Sequence, residues 1–285
     1  MSDPRPIGIL DSGVGGLSVL REIARQLPYE DVLYVADQAH IPYGPRPLGD
    51  IRALTLGIVR LLRAQGAKVI VIACNTASAA ALYTVRAAFP DLPIVGMEPA
   101  VKPAAERSRA RRVAVLATPA TFQGELFASL IERFAQDVEV LPQACPGLVE
   151  QVEAGDLDGP QTQALLRTYL SPLLAAGADT LVLGCTHYPF LLPAIAQIAG
   201  PQVEVIDPSP AVARQTGRVL AASGLENTPG RQASYTFCTT GDVPTFRALV
   251  KRLIDLPGTF VGLIWQEGGE LAMLSGGRGD TSPPP

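Results

Sequence analysis

The chain has 285 residues, of which 47% are hydrophobic and 18% charged, a balance that supports one large or two ordinary globular domains with substantial cores. A formal net charge of -4 at pH 7 gives no overall basic surface of the kind that drives nucleic-acid binding. Apolar runs such as 69–73 are far too short to cross a bilayer, and the polar, Pro-broken start before Ile7 lacks a secretory leader's pattern. The expectation is a cytoplasmic protein engaging neither membrane nor nucleic acid.

Taken in chain order, the strand candidates are 7–10, 32–36, 69–73, 94–97, 113–117, 138–141, 180–184 and 203–206. Most are continuous aliphatic runs, as buried parallel strands require. Amphipathic stretches at 16–26, 48–65 and 160–176 separate them, so strand and helix alternate and the fold class is α/β. After Asp207, a helix at 210–222, a strand at 235–238 and a helix at 244–256 are expected to pack back on the first half. From 258 to 285 the chain is rich in Gly and Pro and reads as a poorly ordered tail, with local docking of 260–265.

An internal repeat organises this pattern. Gly66-Ala67 leads through an apolar strand to Cys74, and Gly177-Ala178 leads through another to Cys185. The runs at 7–11 and 94–98 have counterparts at 113–117 and 203–207, at an offset of about 110 residues. The repeat implies two pseudo-symmetric α/β domains with mainly parallel sheets: 1–99 plus 208–257, and 100–207. Ligands of such sheets bind beyond the carboxyl ends of the strands. Both cysteines sit there, so the active site is expected in the cleft between the domains.

Of the four cysteines, Cys74, Cys145, Cys185 and Cys238, none belongs to a CxxC pair, and His40 and His187 are the two imidazoles. A metal site is therefore not expected, and Cys145 and Cys238 read as structural. Cys74-Asn75-Thr76 and Cys185-Thr186-His187 each pair a thiol with hydrogen-bonding neighbours near an expected helix start. There N–H groups and the helix dipole suit a carboxylate and lower a thiol's pKa. A lone buried Cys is usually a small hydrophobe; a matched pair on opposed walls suits a reaction that removes a proton from one face of a carbon and delivers one to the other. Asp11-Ser12-Gly13-Val14-Gly15-Gly16 is neither a dinucleotide fingerprint nor a phosphate loop, but its glycines allow close backbone approach. Asp11 could hold an ammonium group or assist the first thiol. In the 37–44 loop Tyr43 can offer a hydroxyl beside Gly44. His187 could poise Cys185, and Thr118 and Thr121 mirror the Asp11 region as carboxylate donors.

Asp11 to Leu17, Pro42-Tyr43-Gly44, Ala73 to Ser78 and Leu183 to Pro189 together resemble the glutamate racemases, within the cofactor-independent aspartate/glutamate racemase family. The resemblance runs from about residue 7 to about residue 220. It implies interconversion of L- and D-glutamate without a cofactor, supplying D-glutamate for peptidoglycan, by a homodimer whose partner is the small-molecule substrate. It implies Cys74 and Cys185 as proton donor and acceptor, with Asp11, His187 and Glu153 assisting. It further implies substrate contacts from Asp11, Ser12, Tyr43, Gly44, Asn75, Thr76, Thr186 and His187. An aspartate racemase shares the two-thiol logic. A pyridoxal phosphate racemase would need a Schiff-base lysine, and Lys68, Lys102 and Lys251 all lie outside the motifs. An amino-acid-binding protein would need the cleft but not the thiols.

Overall fold

Short aliphatic runs bounded by Gly, Pro or Asp form the buried strands. The computed structural model describes residues 3–274. The chain begins β1 (Ile7–Asp11), α1 (Leu17–Gln26), β2 (Val32–Ala36), α2 (Leu48–Ala64), β3 (Val69–Ile72), α3 (Asn75–Ala88), β4 (Ile94–Gly96), α4 (Val101–Arg107). It continues β5 (Arg112–Ala117), α5 (Pro119–Gln123), α6 (Glu125–Phe134), β6 (Glu139–Ala144), α7 (Leu148–Glu153), α8 (Pro160–Ala175), β7 (Thr180–Gly184), α9 (Leu192–Ala199), β8 (Glu204–Ile206). Then follow α10 (Ser209–Ser223), β9 (Tyr235–Thr239), α11 (Val243–Leu253), β10 (Thr259–Trp265) and β11 (Leu271–Met273).

Two sheets result, ordered β11-β10-β9-β2-β1-β3-β4 and β6-β5-β7-β8. Strand pairs are parallel except β10 with β11. The order β2-β1-β3-β4 in the first lobe is repeated as β6-β5-β7-β8 in the second. The internal repeat therefore reaches beyond sequence likeness to strand order and direction. Equivalent strands β3 and β7 end one residue or two before their cysteines, because each pairs along the central strand of its sheet: Leu10 with Ile72, and Ala117 with Gly184.

The lobes share apolar packing. One buried cluster runs from Ile9, Tyr34 and Val71 in the first lobe to Leu116, Leu183 and Tyr188 in the second. Helix α1 contributes through Leu17, Leu20 and Ile23, spaced to present one face inward. Removing such side chains from water stabilises the fold by about 1.5–3 kcal/mol each.

The expected poorly ordered tail at 258–285 is corrected by β10 and β11. β10 lies parallel to β9, β11 turns back against it, and Leu263 and Leu271 are buried. Phe260 stacks on Phe237 with ring centroids 5.0 Å apart, and the Arg247 guanidinium lies 4.9 Å from the Phe260 ring. Flanking Gly and Pro suggest disorder only until the β-branched and aromatic run between them finds an open strand edge. Residues 275–285 of that tail lie outside the described residues. No helix among the described residues is long and apolar enough to cross a membrane.

Candidate active site

Cys74 stands two residues beyond β3 and caps α3, its Sγ accepting from the Ala77 N–H at 3.4 Å and donating to Ser12 Oγ at 3.8 Å. The helix N-terminus favours a thiolate, but complete burial and the nearby Asp11 carboxylate win. The thiol is pushed up to about 12, so it is protonated at neutral pH.

Cys185 differs from the expectation of an α-helix start. A 3-10 turn at Tyr188–Leu191 intervenes before α9, and the partner of the thiol is instead His187, with Sγ 3.7 Å from Nδ1. His187 Nε2 lies 2.8 Å from Glu153 Oε1. Burial opposes the imidazolium, yet the hydrogen bonds to Cys185 and Glu153 more than offset it and hold the imidazole well above its ordinary range. The two thiols therefore stand in different environments: one beside a carboxylate, the other beside an imidazole.

Glu153 ends α7 and points inward, whereas Glu150 on the same helix is exposed. Its Oε1 also accepts from the Val14 N–H at 2.7 Å, and its Oε2 from Gln38 Nε2 at 2.8 Å, both in the first lobe. The glycines of 11–16 now have a physical reason. A Cβ at Gly13 would overlap the Glu153 carboxylate, and one at Gly15 would overlap His187. The close approach is thus to the opposite lobe. Asp11 is fully buried, accepts from the Gly13 N–H at 2.9 Å and from Thr186 Oγ1 at 3.0 Å, and burial raises its pKa.

Ser12, Tyr43, Gly44, Asn75, Thr76, Thr118, Thr186 and His187 line one narrow cavity together with both thiols. Its volume is about 10 Å³, room for roughly one water molecule, so the cavity as it stands is too small for an amino acid. Asp11, Thr121 and Glu153 stand behind this wall. Thr121 bonds to Thr118 at 3.0 Å and to Thr76 at 3.3 Å, and Thr76 meets Thr118 at 2.8 Å. Asn75 is buried with both amide atoms unpartnered, an arrangement costly unless a ligand completes it. The expected Tyr43 hydroxyl is committed elsewhere: it donates to Asp37 at 2.7 Å, leaving ring and backbone to face the cavity. Gly44 packs so closely that a Cβ would come 2.8 Å from Thr118 Cβ.

Sequence reading missed Asp37 and Gln38, both in the loop it had marked. Besides the near neighbours His40 and Tyr43 of Asp37, their partners include Glu153, Thr240 and Trp265, each 115 or more positions away. Cys145 and Cys238 are buried and free, outside the cavity. Lys68 is buried against Glu30 at 2.6 Å. Among the described residues no three His, Cys, Asp or Glu side chains gather as a metal site would require.

The family model for Asp/Glu/Hydantoin racemase matches residues 7–216. The chain is 54% identical over 260 residues to a glutamate racemase from Roseiflexus sp. strain RS-1, covering 90% of this chain and 95% of that protein. It is similar in structure to a glutamate racemase isoform from Bacillus anthracis, with a TM-score of 0.81 at 32% identity over 90% of this chain and 96% of that one. It also resembles a glutamate racemase from Francisella tularensis in complex with D-glutamate, with a TM-score of 0.78 at 32% identity over 89% of this chain and 95% of that one. A buried cleft between two repeated α/β lobes, a thiol on each wall and these likenesses converge: the chain belongs to the Asp/Glu/Hydantoin racemase family and is a racemase.

Proposed function

We propose that this protein interconverts L- and D-glutamate by proton transfer at Cα between Cys74 and Cys185, supplying D-glutamate for peptidoglycan. The observation that carries the reading is the lining of one cavity by both thiols, each from the equivalent strand end of its lobe. In one direction the Cys185 thiolate takes the Cα proton while the Cys74 thiol delivers its own to the opposite face. The reverse direction exchanges the roles, and the proton count balances either way. Asn75, Thr76, Thr118 and Thr186 are neutral donors that suit carboxylates, and His187 supplies positive charge where negative charge develops. An ammonium group near Asp11 would offset the repulsion that raises the Cys74 thiol. The likeness to a relative holding D-glutamate supports the substrate.

The test is incubation with L-glutamate in D2O, without added cofactor, followed by chiral separation and mass spectrometry. D-glutamate carrying deuterium at Cα is expected, and its formation should be lost in both Cys74→Ala and Cys185→Ala. Folded protein that turns over L-aspartate and leaves L-glutamate untouched would overturn the substrate assignment.

A further inference from the structure

Asp37 directly follows β2 and is fully buried, yet it does not line the cavity. Its carboxylate accepts from four side chains: Tyr43 Oη at 2.7 Å, His40 Nδ1 at 3.0 Å, Thr240 Oγ1 at 2.9 Å and Trp265 Nε1 at 2.8 Å. A carboxylate only accepts, and full use of its lone pairs by four donors fixes its orientation closely. Tyr43 belongs to the cavity wall, and Gly44 packs against Thr118 of the second lobe and accepts from the Ala120 N–H at 3.2 Å. Thr240 follows β9 and Trp265 ends β10, both beyond the stretch 7–216 that the family model matches. Thr240 also accepts from the Ala39 N–H at 2.9 Å, and the His40 ring meets the Trp265 indole edge to face at 5.5 Å.

We propose that Asp37 is a positioning residue, and that through it the late strand β10 holds the 42–44 segment in place against the substrate. The indole N–H of Trp265 and the hydroxyl of Tyr43 are two ends of one tether, with the carboxylate between them. Loss of either end frees the loop without touching a thiol. The kinetic part of the test rests on glutamate as substrate; the exchange part does not.

The experiment compares the full chain with Trp265→Phe, which keeps an aromatic ring against His40 and removes the N–H. Hydrogen–deuterium exchange read by mass spectrometry should quicken at least ~5-fold over residues 39–46 and stay unchanged in α8. The KM for glutamate should rise ~3–10-fold while kcat holds within ~2-fold, since one hydrogen bond to a charged group is lost far from the reacting atoms. Combining Trp265→Phe with Tyr43→Phe should raise KM by less than the product of the single effects, because both act through one carboxylate. Unchanged exchange over 39–46 in folded Trp265→Phe overturns the tether, as does a fall in kcat at constant KM. Thr240→Val removes another of the four donors and is read the same way if Trp265→Phe does not fold. Wild-type protein inactive on glutamate would count against the substrate assignment alone, and the exchange result would still decide the tether.

Discussion

His187 Nε2 and Glu153 Oε1 stand 2.8 Å apart, and the same carboxylate oxygen accepts the backbone N–H of Val14 from the opposite lobe. One carboxylate thus poises the imidazole beside Cys185 and closes the cleft.

Glu153→Gln keeps the shape and removes the charge. Glu153 contributes to raising the His187 pKa, so without it the imidazolium loses its proton at lower pH. The basic limb of the pH profile of kcat/KM should therefore move to lower pH, and kcat should fall ~10-fold or more, in keeping with loss of a group supporting acid–base catalysis. Racemisation followed by circular dichroism from pH 6 to 10 reads both. A basic limb that stays in place would show that Glu153 serves closure alone.

Gly13→Ala and Gly15→Ala test the interface between the lobes. Neither glycine has a positive φ, so alanine costs little in the backbone itself. The added Cβ instead collides with Glu153 or His187. We expect kcat/KM to fall by ~100-fold or more, about 2.7 kcal/mol of transition-state stabilisation, with far-UV circular dichroism unchanged. Activity within a factor of ~3 of wild type would sink the steric account.

The Cys74 thiol, pushed up to about 12 from 9.0, links stability to pH. Between those values the unfolded chain ionises this thiol and the folded chain does not, so the folded state binds more protons and stability falls as pH rises. Relative to Cys74→Ala, the wild type should lose about 1.4 kcal/mol between pH 8 and pH 10. Urea unfolding of both proteins at the two pH values measures the difference. A constant difference would mean that the folded thiol ionises like a free one.

Lys68 tests the scaffold apart from the site. Its Nζ lies 2.6 Å from Glu30 Oε2 and donates to the Asp3 carbonyl at 2.7 Å, with both charged side chains nearly inaccessible. Lys68→Met leaves a buried carboxylate without its cation, a loss of about 3–5 kcal/mol. Thermal unfolding should shift down markedly while kcat and KM per folded molecule stay unchanged. A loss of activity at retained stability would contradict the assignment of this pair to the scaffold alone.

Much of the molecule is local information. Periodic apolar runs marked strands and helices, and the Gly-Ala lead into Cys74 and Cys185 disclosed the repeat, because strand identity and the residue after a strand depend on near neighbours in the chain. The resemblance then brought Asp11, Ser12, Asn75, Thr76, Thr186 and His187 to the site, and Glu153 as well. What the chain's own pattern could not rank was Glu153 over Glu150, since both read as acidic residues on one short helix; a difference in facing direction separates them.

Pairings across long sequence separations were decided only in three dimensions. Gln38 meets Glu153, Asp37 meets Trp265, and Gly15 makes room for His187. Tyr43 turned its hydroxyl away from the cavity because a buried carboxylate stood behind it. The run at 259–265 became a strand because β9 offered an unpaired edge. The sequence by itself determined most of the buried strands and long helices, β10 and β11 apart, and where the two thiols fall along them. The tertiary structure decided which polar groups face one another, because a buried donor or acceptor takes whichever partner the packed lobes bring within reach, whatever its position in the chain.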